Sequence, residues 1–366
     1  MTGPLVPLHD DPLVADLARL GTGYDDVPAY PADSIAVLAR AGLLRRFAPV
    51  AAAGEAFADA DARHRAMFDA LRRVGRGDLS VGRLFEGHVN ALALFDWYAT
   101  PDQNAWLADA LDRDAVFGVW ATEPAPGVAL VEDAAGRRLH GAKSFASGAG
   151  GIAYAVITVR PATGDRRLAI VAADDATRTD ASGWRVRGMR ASMSGLYDLT
   201  GYPIDDRALL GAPGDYDREP RFTSGAWRFT AVQLGGIEAL LAETRAMLSD
   251  KARSDPLTRA AFGHAIVATR TGWLWVREAA IRAAREDCDA ASFARMTRGV
   301  VERAGLDAME YATRLIGTRS AFAGQRVDKI IRDLSLYLRQ AGPDQVRDAA
   351  VRDWIDRDCW GDDPLW

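Results

Sequence analysis

Lysine is scarce in this chain of 366 residues. Of 45 basic residues only Lys143, Lys251 and Lys329 are lysines, and the rest are arginine. Arginine keeps its charge at any relevant pH and grips carboxylate or phosphate through a forked donor set, although biased codon usage is the plainer account. Cysteine is scarcer still. Cys288 and Cys359 cannot build a disulfide framework and suit a reducing compartment, so a cytoplasmic location is expected. Five scattered histidines without a cysteine cluster argue against a structural zinc site, and no metal is expected. No apolar run approaches the roughly 18–20 residues needed to cross a bilayer. Met1 to Asp11 shows no basic stretch followed by an apolar one, so neither a secretory signal nor a membrane span is expected. A net charge of −5 speaks against nucleic-acid binding.

What is present is a core. Hydrophobic residues make up 49% and charged residues 26% of the chain, the balance of a globular protein of two or three packed segments. From about Pro12 to Ala115 the apolar spacing is helical. Pro31 to Ser34 reads as a helix start and Gly42 as its stop. Ala56 to Val74 is a longer helix, Gly75 to Gly77 a break, and the run containing Phe85, His88 and Leu92 a third helix. Asp102 to Leu111 is a fourth. From Val116 to Leu210 the period shifts toward two, in short runs such as Phe117–Trp120, Val128–Val131, Ala153–Val159, Leu168–Ala172, Trp184–Val186 and Tyr197–Ile204. Gly, Asp and Pro punctuate them, which predicts an antiparallel sandwich or barrel. A Gly-x-Gly-x-x-Gly turn at a strand–helix junction is missing, so a Rossmann domain is not expected. From Arg221 onward four amphipathic stripes and a last helix opening at Pro343 read as a bundle. The expected domains are therefore 1–115 (helical), 116–220 (β) and 221–366 (bundle), a mainly α fold with a central antiparallel β domain.

Several short motifs run collinearly through this pattern. Trp120-Ala121-Thr122-Glu123-Pro124 lies in the β region, followed by Gly141-Ala142-Lys143-Ser144-Phe145-Ala146-Ser147-Gly148 and by Gly188-Met189-Arg190-Ala191-Ser192-Met193-Ser194. Arg332-Asp333 lies in the last bundle and Tyr30-Pro31 near the start. In their order and element types they resemble the acyl-CoA dehydrogenase superfamily of flavoproteins, over about residues 15–350. That resemblance implies an FAD cofactor, with Trp120, Thr122, Phe145 and Ser147 against the flavin ring and Arg259 as a pyrophosphate ligand. It also implies a homodimer or homotetramer, an acyl-thioester or other small-molecule substrate, and an electron-transfer flavoprotein or flavin reductase as partner. Taken singly, Trp120 and Phe145 would be core aromatics and Thr122 and Ser147 turn hydroxyls. Arg259 reads equally well as a solvated helix residue.

The pattern also departs from the family. The carboxylate that removes the substrate α-proton is replaced by Ala341 at one family position and by Arg228 at the other, and Arg is no base at neutral pH. Gly127-Val128-Ala129 stands where Gly-Ser-Asp is usual. Glu86 and His88 are the remaining catalytic candidates, set against a solvent-facing Glu and a hydrogen-bonded His. Asp333 reads as the partner of a nearby Arg, Lys143 as a surface or strand-end residue, and the aromatic tail from Cys359 to Trp366 as docked. Three functions stay open. The first is α,β-oxidation of an acyl thioester by hydride transfer to FAD. The second is a flavin-dependent monooxygenase or oxidase, which needs a dry apolar pocket and no α-proton base. The third is a family member that binds a ligand without catalysis.

Overall fold

The computed structural model describes residues 11–133, 136–340 and 342–356. The readings made for Met1 to Asp10, for Ala341 and for Cys359–Trp366 lie outside the described residues.

The N-terminal region holds six helices: α1 (Pro12–Asp26), α2 (Ala32–Arg40), α3 (Leu43–Arg46), α4 (Ala60–Gly77), α5 (Leu79–Tyr98) and α6 (Pro101–Leu111). The expected break at Gly75–Gly77 falls slightly later. Helix α4 runs through both glycines, and Asp78 ends it while capping α5 by accepting from the Val81 N–H at 3.0 Å. Helix α6 starts with a capping box between Thr100 and Gln103. Helix α5 is the spine of the region. Fifteen of its twenty residues are buried, so it is covered on nearly every side rather than amphipathic.

The β region comprises β1 (Phe117–Trp120), β2 (Ala129–Asp133), β3 (Gly136–His140), β4 (Ala142–Ala146), β5 (Tyr154–Pro161), β6 (Arg167–Ala172), β7 (Thr179–Asp180), β8 (Gly195–Asp198), β9 (Tyr202–Pro203) and β10 (Leu209–Leu210). One sheet runs β10-β6-β5-β2-β3-β9 with β1 added beside β5, and a second runs β4-β8-β7. Most pairings are antiparallel, as expected, while β1 and β2 both pair with β5 in parallel. Trp184–Val186 is a loop rather than a strand. Its indole donates to the Met189 carbonyl at 3.2 Å, so its aromatic character serves that contact and not a ladder.

The C-terminal region contains α7 (Arg221–Ser224), α8 (Trp227–Met247), α9 (Asp250–Ser254), α10 (Pro256–Arg285), α11 (Ala290–Ile316), α12 (Arg326–Tyr337) and α13 (Pro343–Trp354). Helices α4 and α8 touch backbone to backbone. A Cβ on Gly235 would lie 2.1 Å from the Arg72 carbonyl oxygen, and one on Gly75 would lie 2.3 Å from that of Val232. Only glycine permits this approach, which ties the bundle to the N-terminal helices.

A second junction locks the β region to α12. A Cβ on Gly188 would meet the Arg332 carbonyl oxygen at 2.1 Å, and the next residue, Met189, donates its N–H to the Asp333 carboxylate. Asp333 does not pair with an arginine, contrary to the sequence expectation. Its partner is Lys329, which also reaches Asp78 at 2.7 Å. Arg332 turns away to Asp25 at 2.6 Å and Asp328 at 2.8 Å. The buried Lys329–Asp78–Asp333 knot thus joins the start of α5, the helix α12 and the Gly188–Met189 loop.

Candidate functional site

Between α5, the β region, α8 and α12 lies a cavity of about 870 Å³, towards the upper end of the roughly 300–1,000 Å³ usual for ligand pockets.

Its β wall is built from the three β-region motifs. Trp120 ends β1, is buried, and donates its indole N–H to the Ser147 carbonyl at 3.1 Å. The Ser147 hydroxyl meets that of Ser194 at 2.8 Å, Ser194 meets Ser192 at 2.9 Å, and Ser192 donates to the Met189 carbonyl at 2.8 Å. Thr122 is exposed to the cavity. The β4–β8 register shifts between Lys143 and Ala146, and that irregularity turns Phe145 outward. Phe145 stands at φ +50° and is 60% exposed, edge-on to Trp184 at 6.4 Å. An exposed aromatic held in the left-handed region carries a backbone cost of order 1–3 kcal/mol that the surrounding packing must sustain.

Lys143 is the anchor behind this wall, which corrects the surface reading. It is fully buried, paired with Glu123, and donates to the Thr158 hydroxyl at 2.9 Å. Burial lowers the Lys143 pKa while Glu123 opposes that shift. Burial works against the Glu123 charge too, but Lys143, the Val128 N–H and Arg160 outweigh it and hold this carboxyl below its usual range. The pair closes the Thr-Glu-Pro turn onto β4 and β5, which sets the position of Phe145.

The helical wall was largely missed from sequence. Arg83, Glu86 and Asn90 project into the cavity from α5 at spacings i, i+3 and i+7. Glu86 is buried rather than solvent-facing. It is paired with Arg83 and accepts from the Asn90 amide, and Asn90 in turn accepts from Arg228 Nε on α8. Tyr337, at the end of α12, is 3% exposed, and its hydroxyl has no hydrogen-bond partner of acceptable geometry, although Arg83 lies near enough to bear on its charge. Burial pushes the Tyr216 phenol up to about 12 and that of Tyr337 well above its usual value. Arg228 is 7% exposed. Its burial lowers its pKa to about 10, against the pull of Glu86, so it stays cationic at neutral pH. A polar i, i+3, i+7 stripe on a helix otherwise closed by apolar residues is the signal that could have revealed this wall.

The structure gathers Glu86, Trp120, Thr122, Phe145 and Ser147 around one cavity, and separates His88 and Arg259 from it. His88 is fully buried. Its Nε2 meets the Leu44 carbonyl at 2.6 Å and its Nδ1 accepts the Phe117 N–H at 3.1 Å. Burial lowers its pKa to about 4, and with both ring nitrogens occupied it has no group to offer a substrate. Arg259 sits at the start of α10 and binds the carbonyls of Arg253, at 3.2 Å, and Ser254.

Neither a family model nor a curated relative matches the sequence. Solved structures do match the fold. Dibenzothiophene monooxygenase TdsC from Paenibacillus sp. A11-2 superposes with TM-score 0.81 at 19% identity, over 94% of this chain and 97% of that one. Butyryl-CoA dehydrogenase from Megasphaera elsdenii superposes with TM-score 0.80 at 16% identity, over 98% and 100%. The chain has the acyl-CoA dehydrogenase fold. Methanesulfinate monooxygenase MsuC from Pseudomonas fluorescens shares this fold too, with TM-score 0.80 at 20% identity over 97% of both chains. Within the acyl-CoA dehydrogenase fold, the motifs from Trp120 to Ser194 form one wall of the cavity, and α5, α8 and α12 form the other.

Proposed function

We propose that this protein is a flavin-dependent monooxygenase acting on a small substrate. One observation carries the reading. Glu86 is the only carboxylate among the described residues lining the cavity, and it is engaged by Arg83 and Asn90. Abstraction of an α-proton needs a carboxylate free to accept it, and Arg228 occupies the α8 wall where a base would serve. Two of the similar structures are named as monooxygenases.

The β wall fits a flavin. An exposed phenyl ring at positive φ, a buried indole and the Ser147–Ser194–Ser192 chain together make a flat face edged with hydroxyls and backbone groups, as a planar heterocycle requires. Trp120, Thr122, Phe145 and Ser147 would hold the ring. TdsC was solved with FMN and indole, so FMN competes with FAD as the cofactor here. When bound, the reduced flavin supplies the electrons that activate oxygen. The chain's own residues exclude water through Leu94, Trp97, Phe222 and Phe229 on the cavity lining, and they orient the substrate from the helical wall.

The test is single turnover with reduced flavin. Oxygen consumed with oxygenated product, and no bleaching of oxidised flavin by acyl thioesters, is the expected result. Flavin reduced by an acyl-CoA would favour the dehydrogenase reading. A protein that binds neither FMN nor FAD would refute both.

A further inference from the structure

Among the described residues of the helical wall, Arg228 has no carboxylate of its own, only the pull of the Glu86 that Arg83 already engages. Arg83 is paired with Glu86. Arg63, which bears on Arg228 electrostatically, is paired with Asp96 at 2.7 Å. His64, close enough to feel the Arg228 charge, is held neutral by burial, its pKa lowered to about 4. Of the other arginines lining the cavity, Arg221 meets Glu286 at 2.7 Å, Arg295 meets Asp353 at 2.9 Å, Arg298 donates to the Gln340 carbonyl at 2.8 Å with Glu302 favouring its charge, and Arg339 is exposed to solvent. Arg228 gives its Nε to Asn90, and its terminal Nη groups meet no acceptor among the described residues. A buried unpaired cation is costly unless a counter-charge arrives. The Tyr337 hydroxyl on the same cavity adds a buried donor without an acceptor. The lining also carries the aromatic side chains Trp97, Tyr98, Tyr216, Phe222 and Phe229.

We propose that the substrate is a small aromatic carboxylate, with Arg228 as its counter-charge and the Tyr337 hydroxyl as a second donor. The fork of a guanidinium matches two carboxylate oxygens, and the aromatic side chains supply a face for the ring. This deepens the monooxygenase reading and depends on it for the use of the site, but the recognition it describes can be read without turnover.

The full-length protein, free of flavin, would be titrated calorimetrically with benzoate, with its neutral isostere benzamide and with acetate. Benzoate should bind at least tenfold more tightly than either. Arg228→Gln should lose tenfold or more for benzoate and gain nothing for benzamide. Tyr337→Phe should lose a few-fold, and Arg228→Lys should keep part of the affinity. Circular-dichroism melts would verify that each variant is folded, and flavin titration should show unchanged cofactor affinity. Benzamide binding as tightly as benzoate, no benzoate binding at all, or Arg228→Gln binding benzoate like the parent would overturn the proposal. So would loss of flavin binding in folded Arg228→Gln, since Arg228 would then serve the cofactor. Benzoate recognition without any oxygen consumption by added reduced flavin would sink the monooxygenase reading and leave the anion site standing.

Discussion

The protein holds two buried polar clusters, and they are solved in opposite ways. In the Lys329 knot, one ammonium sits between Asp78 and Asp333. The helix cap of α5 and the Met189 N–H supply the remaining donors. In the cavity wall, Arg83, Glu86 and Asn90 form a chain that ends on Arg228 with its Nη groups and the Tyr337 hydroxyl unmatched. In the first cluster the ammonium and both carboxylates find their partners within the fold. The second leaves charge and hydrogen-bonding capacity facing an open volume. Both are buried and both contain ion pairs, so burial of charge alone does not separate a structural site from a functional one. The unsatisfied remainder does.

The sharpest way to test that contrast is Lys329→Met. It leaves two buried carboxylates facing each other, and breaking such a cluster typically costs about 3–5 kcal/mol. Urea denaturation should show a loss of that size or an insoluble product. A loss under about 1 kcal/mol would erase the distinction.

Acid gives the next largest effect. Burial lowers the folded pKa of His88 to about 4 from the 6.5 of a free imidazole, so between those values the unfolded chain binds the extra proton. The contribution is fully present above pH 6.5 and fades as pH falls toward 4. It amounts to on the order of 3 kcal/mol for a shift of this size. His88→Gln should flatten that part of a Tm-against-pH curve, and an unchanged slope would refute the assignment of a neutral, doubly bonded imidazole.

Arg228→Gln should behave unlike Lys329→Met. It removes a buried cation that has no carboxylate of its own, so the lost bond to Asn90 is offset by relief of burial and stability should change by about 1 kcal/mol or less, in either direction. A loss as large as that of Lys329→Met would mean that Arg228 belongs to the fold. The smallest effect is the control. Arg314 pairs with Glu310 at 2.7 Å with both side chains more than half exposed, and Arg314→Ala should leave Tm unchanged within error.

Much of the architecture was legible in advance because periodicity reports burial. The helix, β, helix order follows from apolar spacing of three to four and then of two. The β wall was legible through its motifs, since Trp120, Thr122, Phe145 and Ser147 come from short stretches and do meet on one cavity. The helical wall was not. Arg83 and Asn90 look like solvated helix residues, Tyr337 looks like a core aromatic, and Arg228 stands out only as the residue found where a base is usual. Only the packing of α5, α8 and α12 shows that they share a space. Lys143 was misplaced for the same reason, because its partner Glu123 is twenty residues away and nothing local marks the pair as buried. The parallel pairing of β1 and β2 with β5 depends on which strand each meets, and strand composition alone does not specify a neighbour.

The Gly188 contact has one more consequence. Because the loop backbone rests directly on the Arg332 carbonyl, main chain sets the closest approach of the β wall to α12, and the Asp333 carboxylate on the Met189 N–H holds it there. Lining residues away from that junction can therefore be exchanged with little effect on how far apart the walls stand there. A scaffold keyed in this way can change what it accepts through successive single substitutions, each of them neutral to the geometry that the next one inherits.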